Sequence, residues 1–195
     1  VPKTYLPNYG EFYEKRQFAP APEEDDFIAL CGQEAVPFGA GQIFPCENLP
    51  ELTLGFEICE DLWAPEPPSV RMAKAGATVI GNLSASNEVI GKDAYRRQLV
   101  TAQSARLLCG YLYASSGEGE STSDTVFGAH QLIGEHGALL GEKRFEHGLL
   151  ISEIDVQKLR CERRRTQVFS EIVERKNYKG FTLTVSDTKL TRYVA

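Results

Sequence analysis

Residues 52–63, Leu-Thr-Leu-Gly-Phe-Glu-Ile-Cys-Glu-Asp-Leu-Trp, limit what this chain can fold into more than any other stretch. Leu52, Leu54, Phe56 and Ile58 alternate with smaller or polar residues, which is the period of a strand, and the run breaks off at Cys59 followed by Glu60 and Asp61. Pro65, Pro67 and Pro68 then bar further sheet pairing and suit the first turn of a helix predicted over 69–77. A strand that passes through a sharp turn into a helix holds the turn side chain exposed above the sheet, with the turn amides free to face an oxyanion. A lone cysteine can equally close a strand as a small buried hydrophobe. The rest of the chain decides between these two uses.

Upstream, short strands are predicted over 27–31 and 35–44, the latter bent at Gly39 and Gly41, so that with 52–59 they form an antiparallel stretch feeding the cysteine turn. Downstream, Thr78, Val79 and Ile80 read as a strand buried on both faces. Residues 92–109 are the best helix, with Tyr95, Leu99, Ala102, Ala105 and Leu108 at helical spacing and Gly110 as the stop. Strands follow over 111–114, 125–134 and 138–145, the last two joined through Glu135, His136 and Gly137; 149–154 is also strand-like. Asp155 is placed to cap a helix reaching about Arg165, and 181–185 alternates as a final strand. This order predicts a layered α/β domain with its chemistry at strand ends.

Length and composition narrow the function. The 195 residues suit one domain, with 42% hydrophobic and 25% charged residues and no apolar run long enough to span a membrane. A formal net charge of -6 argues against a nucleic-acid partner, since such binders present a concentrated basic face. The five cysteines, Cys31, Cys46, Cys59, Cys109 and Cys161, are odd in number and scattered, neither a disulfide framework nor a metal pair, and a cytoplasmic protein is expected. The chain opens on Val1 and holds only Met72, which suggests a piece cut from a longer protein.

An ordinary thiol is only a few per cent thiolate at neutral pH, so a nucleophilic cysteine needs a neighbouring base or cation. His130, His136 and His147 all fall in the hairpin region, whereas Lys3 precedes a loop dense with aromatics that could fix its ammonium near a thiolate and a polarised carbonyl. Glu118, Glu120 and Asp124 read as solvated turn carboxylates rather than a metal site. Gly117 and Gly119 lack the spacing of a dinucleotide fingerprint, and Arg160, Arg163, Arg164 and Arg165 suit a helix C-terminus.

Four stretches carry a resemblance: Val1-Pro2-Lys3 with Tyr5-Leu6-Pro7-Asn8-Tyr9 and Glu11-Phe12-Tyr13-Glu14; Glu57 to Trp63; Asn82-Leu83-Ser84-Ala85-Ser86; and Gly117-Glu118-Gly119-Glu120-Ser121. Together they resemble the amino-terminal glutaminase domain of the glutamine-dependent NAD synthetase family, within the nitrilase superfamily. The likeness covers 1–165, leaving 166–195 as a tail or linker. It implies the carboxy-terminal part of a four-layer α-β-β-α sandwich.

The resemblance also implies roles. Cys59 is the nucleophile, and Lys3 is the catalytic lysine, sharing the oxyanion with the Glu60 amide. Glu14 supports Lys3, while the general-base glutamate is expected upstream of Val1, so the chain alone is expected to turn over poorly. Tyr9, Phe12, Glu60, Trp63, Ser86 and Lys92 surround bound glutamine. No metal or cofactor is implied for this domain; ATP and deamido-NAD belong to a synthetase domain absent from this chain, and a homo-oligomer is expected. Two alternatives stay open: a stand-alone amidase acting on another small amide, and a non-catalytic half-domain serving assembly.

Overall fold

In a computed structural model, residues 1–120, 124–170, 182–186 and 191 are described. Strand β1 (Asp26–Leu30) pairs antiparallel with β2 (Gln33–Phe38) as a separate hairpin sheet. The main sheet contains β3 (Ile43–Pro45), β4 (Thr53–Ile58), β5 (Val79–Ser84), β6 (Gly110–Ser115), β7 (Gln131–Glu135) and β8 (Ala138–Lys143), side by side in that order. β4, β5 and β6 are parallel, while β3 at one end and β7 and β8 at the other run antiparallel to their neighbours. Helices α1 (Pro68–Lys74) and α2 (Lys92–Arg106) make the two crossovers between the parallel strands. Helices α3 (Val156–Arg165) and α4 (Gln167–Ser170) follow the sheet. The layered α/β architecture is the expected one, and no helix is long and apolar enough to cross a membrane among the described residues.

Pairing register separates the two faces of the sheet. Gly55, Ile80 and Tyr111 form one row, and Glu57, Asn82, Tyr113 and Leu132 the next; both rows lie on the helix-covered face. Met72, Val100 and Leu62 complete that core, all buried. Gly55 is required there, because an added Cβ would stand 2.8 Å from the Met72 sulfur. The other face carries Phe56, Gly81, Leu112 and Ile133 in one row and Ile58, Leu83 and Ala114 in the next. Leu83 and Leu112 are 57% and 37% exposed.

Four expectations are corrected. The strand expected over 35–44 is two, split at Ala40-Gly41, with β2 pairing only β1 and β3 pairing β4; no three-stranded stretch feeds the turn. α2 ends at Arg106, because Leu108 takes a left-handed φ of 47° and the Cys109 amide closes on the Ser104 carbonyl at 3.0 Å; Gly110 starts β6. Of 125–134 only Gln131–Glu135 enters the ladder; the preceding residues meet Asn87 and Glu88 instead, through the Asn87–Phe127 bridge and a 2.8 Å bond from the Glu88 amide to the Val126 carbonyl. Residues 149–154 form no strand, since side chains take the place of a ladder. Gln131 Oε1 accepts from the Leu150 amide at 3.0 Å and Glu135 Oε2 from the Asp155 amide at 2.7 Å.

Other expectations hold. Pro67 and Pro68 open α1, Gly76 turns the chain at a φ of 117°, and Asp155 caps α3 by accepting from the Lys158 amide at 2.9 Å. Arg163 closes the base of the sheet, donating to the carbonyls of Ala77, Leu107 and Leu108 at 2.7, 2.9 and 3.0 Å. Ser121 of the fourth motif and Phe181 of the last predicted strand lie outside the described residues. Leu183 bridges Cys46 in parallel, so 183 extends the β3 edge.

Candidate active site

β4 delivers Cys59 into a 3₁₀ turn (Cys59–Leu62), and the residue sits there with a φ of 49°, the left-handed region that non-glycine residues avoid. Strain at that position aims the side chain away from the ladder, as the sequence pattern implied. The thiol faces a cleft of about 460 Å³, whose walls include Tyr9, Phe12, Glu60, Trp63, Ser86 and Lys92. All six residues expected around substrate are therefore brought together with Cys59. A second cleft of about 420 Å³, on the side of Tyr5, Glu24 and Arg71, contains no cysteine.

Lys3 and Glu14 do not line that cleft. They pair with each other, the Lys3 ammonium donating to both Glu14 oxygens at 2.7 Å. Their loop is tied to the cysteine turn by Asp61, which is 1% exposed. Its Oδ1 accepts from the amides of Thr4 at 3.0 Å and Tyr5 at 2.9 Å, and its Oδ2 accepts from the Ile58 amide at 2.9 Å. Burial pushes the Asp61 carboxyl up, opposed by those amides and by the Lys3 charge.

The cleft is polar at one end and aromatic along its wall. Tyr9 donates to Glu60 Oε1 at 2.6 Å, and burial followed by that bond holds its hydroxyl above the ordinary phenol range. Lys92 lies over the Trp63 ring at 5.2 Å and the Phe12 ring at 5.8 Å. Its ammonium donates to Asn87 Oδ1, and Asn87 in turn donates to Glu11 Oε1. Burial first, and the Arg96 charge second, pull the Lys92 ammonium below its usual range. Trp63 is braced edge-on by Tyr95 at 5.3 Å.

Ser86 is held from behind. The fully buried Arg96 donates to Ser86 Oγ at 3.1 Å, to the Asn87 carbonyl at 3.2 Å and to Glu88 at 3.0 Å. Arg96 also donates to His130 Nδ1 at 2.7 Å, which places the ring proton on Nε2, 2.8 Å from Glu142. Burial holds His130 below its ordinary pKa, against the opposing pull of Glu142.

Glu11, Asp61, Asn87 and Arg96 were not assigned to the site from the sequence, and Tyr95, which lines the cleft, was read only as part of a helix face. Glu11 and Asp61 stand inside the motifs that were singled out, and Asn87 directly follows one. Arg96 lies on the face that α2 buries with Val100, Gln103 and Ser104, whereas the spacing pointed to the face of Tyr95 and Leu99, of which Tyr95 is 52% exposed. Glu118, read as solvated, bonds the exposed His147 at 2.9 Å. Among the described residues no group of three or more His, Cys, Asp or Glu side chains is placed to hold a metal ion.

The glutamine-dependent NAD(+) synthetase of Mycobacterium tuberculosis is 44% identical over 185 residues, 93% of this chain and 27% of the relative. The chain is homologous to part of the glutamine-dependent NAD(+) synthetases. The crystal structure of the Cytophaga hutchinsonii glutamine-dependent NAD(+) synthetase superposes with a TM-score of 0.60 at 30% identity, over 73% of this chain and 22% of that one. A carbon-nitrogen hydrolase from Helicobacter pylori gives a TM-score of 0.61 at 17% identity, over 87% of this chain and 56% of its own. The fold is therefore that of the carbon-nitrogen hydrolases, with about half of such a neighbour's length matched. No family model matches the chain. The chain spans about a quarter of the length of the NAD synthetases it matches.

Proposed function

We propose that this chain hydrolyses the side-chain amide of glutamine through a thioester on Cys59, supplying ammonia for the amidation of deamido-NAD by an ATP-dependent synthetase domain of a longer polypeptide. The observation that carries this reading is Cys59 in a left-handed turn at the mouth of a cleft lined by aromatic, cationic and anionic side chains. A free amino acid needs that combination: partners for a carboxylate and an ammonium, and a wall for an apolar stem.

In this mechanism the Cys59 thiolate attacks the amide carbon, and the oxyanion is stabilised by the Glu60 amide and by Lys3. Lys3 stands outside the cleft walls, in the loop that Asp61 ties to the cysteine turn, and reaches in from there. The carbon-nitrogen bond breaks as the leaving nitrogen takes up a proton, and ammonia departs. Water then cleaves the thioester to give glutamate and the free thiol. Tyr9, Phe12 and Trp63 wall the stem, Glu60 and Ser86 receive the ammonium, and Lys92 faces the carboxylate. Glu14 orients Lys3 from a two-oxygen grip and plays the supporting part. Proton transfer calls for a general base, and the cleft carboxylates are already engaged, Glu11 by Asn87 and Glu60 by Tyr9. General acid-base assistance is worth roughly 10²- to 10⁴-fold, so the chain by itself is expected to hydrolyse glutamine slowly.

The test is made in a polypeptide that includes the synthetase. Cys59→Ala is expected to abolish glutamine-supported NAD formation while leaving formation from added ammonia intact. Loss of both activities contradicts the assignment, and faster release of ammonia from other small amides than from glutamine points to an amidase of different specificity.

A further inference from the structure

The Lys3 ammonium is aimed by Glu14, but both residues belong to one loop, so their ion pair fixes Lys3 within that loop and leaves its position relative to Cys59 undetermined. Further along that loop Tyr9 joins it to Glu60 of the cysteine turn at 2.6 Å, but the connection that grips the backbone next to Lys3 is the carboxylate of Asp61. It lies in the turn that bears Cys59, is 1% exposed, and bonds the Ile58 amide on one oxygen and the Thr4 and Tyr5 amides on the other. Thr4 is the residue next to Lys3. An asparagine has one acceptor oxygen for the three amides, and its own N–H group would face one of them.

We infer that Asp61 is a positioning residue that sets the Lys3 ammonium beside Cys59 by holding the Thr4 and Tyr5 amides. The inference rests on the thioester reading given above and adds to it a residue that neither touches substrate nor lines the cleft. Its effect on chemistry passes through Lys3. A merely structural carboxylate would instead slow Cys59 equally whether or not Lys3 is present.

The experiment is a double-mutant cycle on the rate at which a chloroketone analogue of glutamine labels Cys59 in the 195-residue chain. Lys3→Ala and Asp61→Asn are each expected to slow labelling about tenfold or more, as removal of an oxyanion donor does. In the Lys3→Ala background, Asp61→Asn is expected to cost less than about twofold further, because the group it positions is gone. A full additional loss in that background overturns the role of Asp61 and leaves the thioester reading standing. Failure of the analogue to label Cys59 in the unmodified chain overturns the thioester reading itself. Should circular dichroism show Asp61→Asn unfolded, Asp61→Glu, which keeps the charge and both acceptors but displaces them by one methylene, is carried through the same cycle with the same outcomes.

Discussion

At their carboxyl ends the parallel strands β4, β5 and β6 run into the Cys59 turn, the 84–87 stretch and Ser115; at their amino ends they start from Thr53, Thr78 and Cys109. Each end has a cysteine and a buried arginine, and the two pairs are used differently. Cys59 is strained and opens on the cleft, whereas Cys109 is fully buried and its thiol is pushed up to about 12 by that burial. Arg96 binds side chains and backbone that shape the cleft, while Arg163 binds three backbone carbonyls that end α2 and the turn after α1. Residue types are alike at the two ends. The partners differ, so that one end opens on the cleft and the other closes the core.

Replacing each arginine by methionine sharpens the contrast. Arg96→Met takes from Glu88 one of two arginine partners, leaving Arg144 at 2.9 Å, and frees Ser86 and the Asn87 carbonyl, so it is expected to cost about 3 kcal/mol. It is also expected to weaken protection of Cys59 by glutamine against alkylation. Arg163→Met frees three backbone carbonyls and is expected to cost about 2 kcal/mol, measured by denaturant titration, with glutamine protection unchanged in the folded fraction. Equal loss of protection in both variants would break the distinction between the two ends.

A smaller effect comes from His130, behind the cleft. Its folded pKa lies below the ordinary 6.5, so below about pH 6.5 the unfolded chain binds a proton that the folded one refuses. Stability is therefore expected to fall as pH drops from 6.5, by at most about 1.4 kcal/mol per pH unit, and to level off below the folded pKa. Glu142, held below its ordinary 4.5 chiefly by Arg97, adds a second loss beginning nearer that value. His130→Gln is expected to remove the first decline and keep the second, read from thermal midpoints against pH.

The carboxyl edge was largely legible in the sequence. Alternation up to Ile58, an abrupt stop at Cys59 and the prolines beyond leave few ways to place the thiol, and the structure puts it in a strained turn. Tyr9, Phe12, Trp63, Ser86 and Lys92 could be gathered only through family resemblance, since no periodicity links residues from three separate segments. What stayed hidden was held by side chains acting on backbone. Asp61 gathers three amides from two segments, and Gln131 and Glu135 clip 149–154 along the sheet where apolar alternation suggested a strand. The overrun of α2 has the same origin: apolar spacing continues through Leu107 and Leu108, while the left-handed φ at Leu108 that ends the helix belongs to a residue type that seldom adopts it.

The central claim is that one thiol of the five is built to attack an amide carbonyl bound in the cleft. Intact-mass and peptide mapping after exposure to a chloroketone analogue of glutamine tests it most directly. A single adduct on Cys59 is expected, suppressed by glutamine, absent in Cys59→Ala and retained in Cys109→Ala. Adducts spread over the exposed Cys31 and Cys161, or labelling of Cys59 that glutamine does not slow, would contradict it.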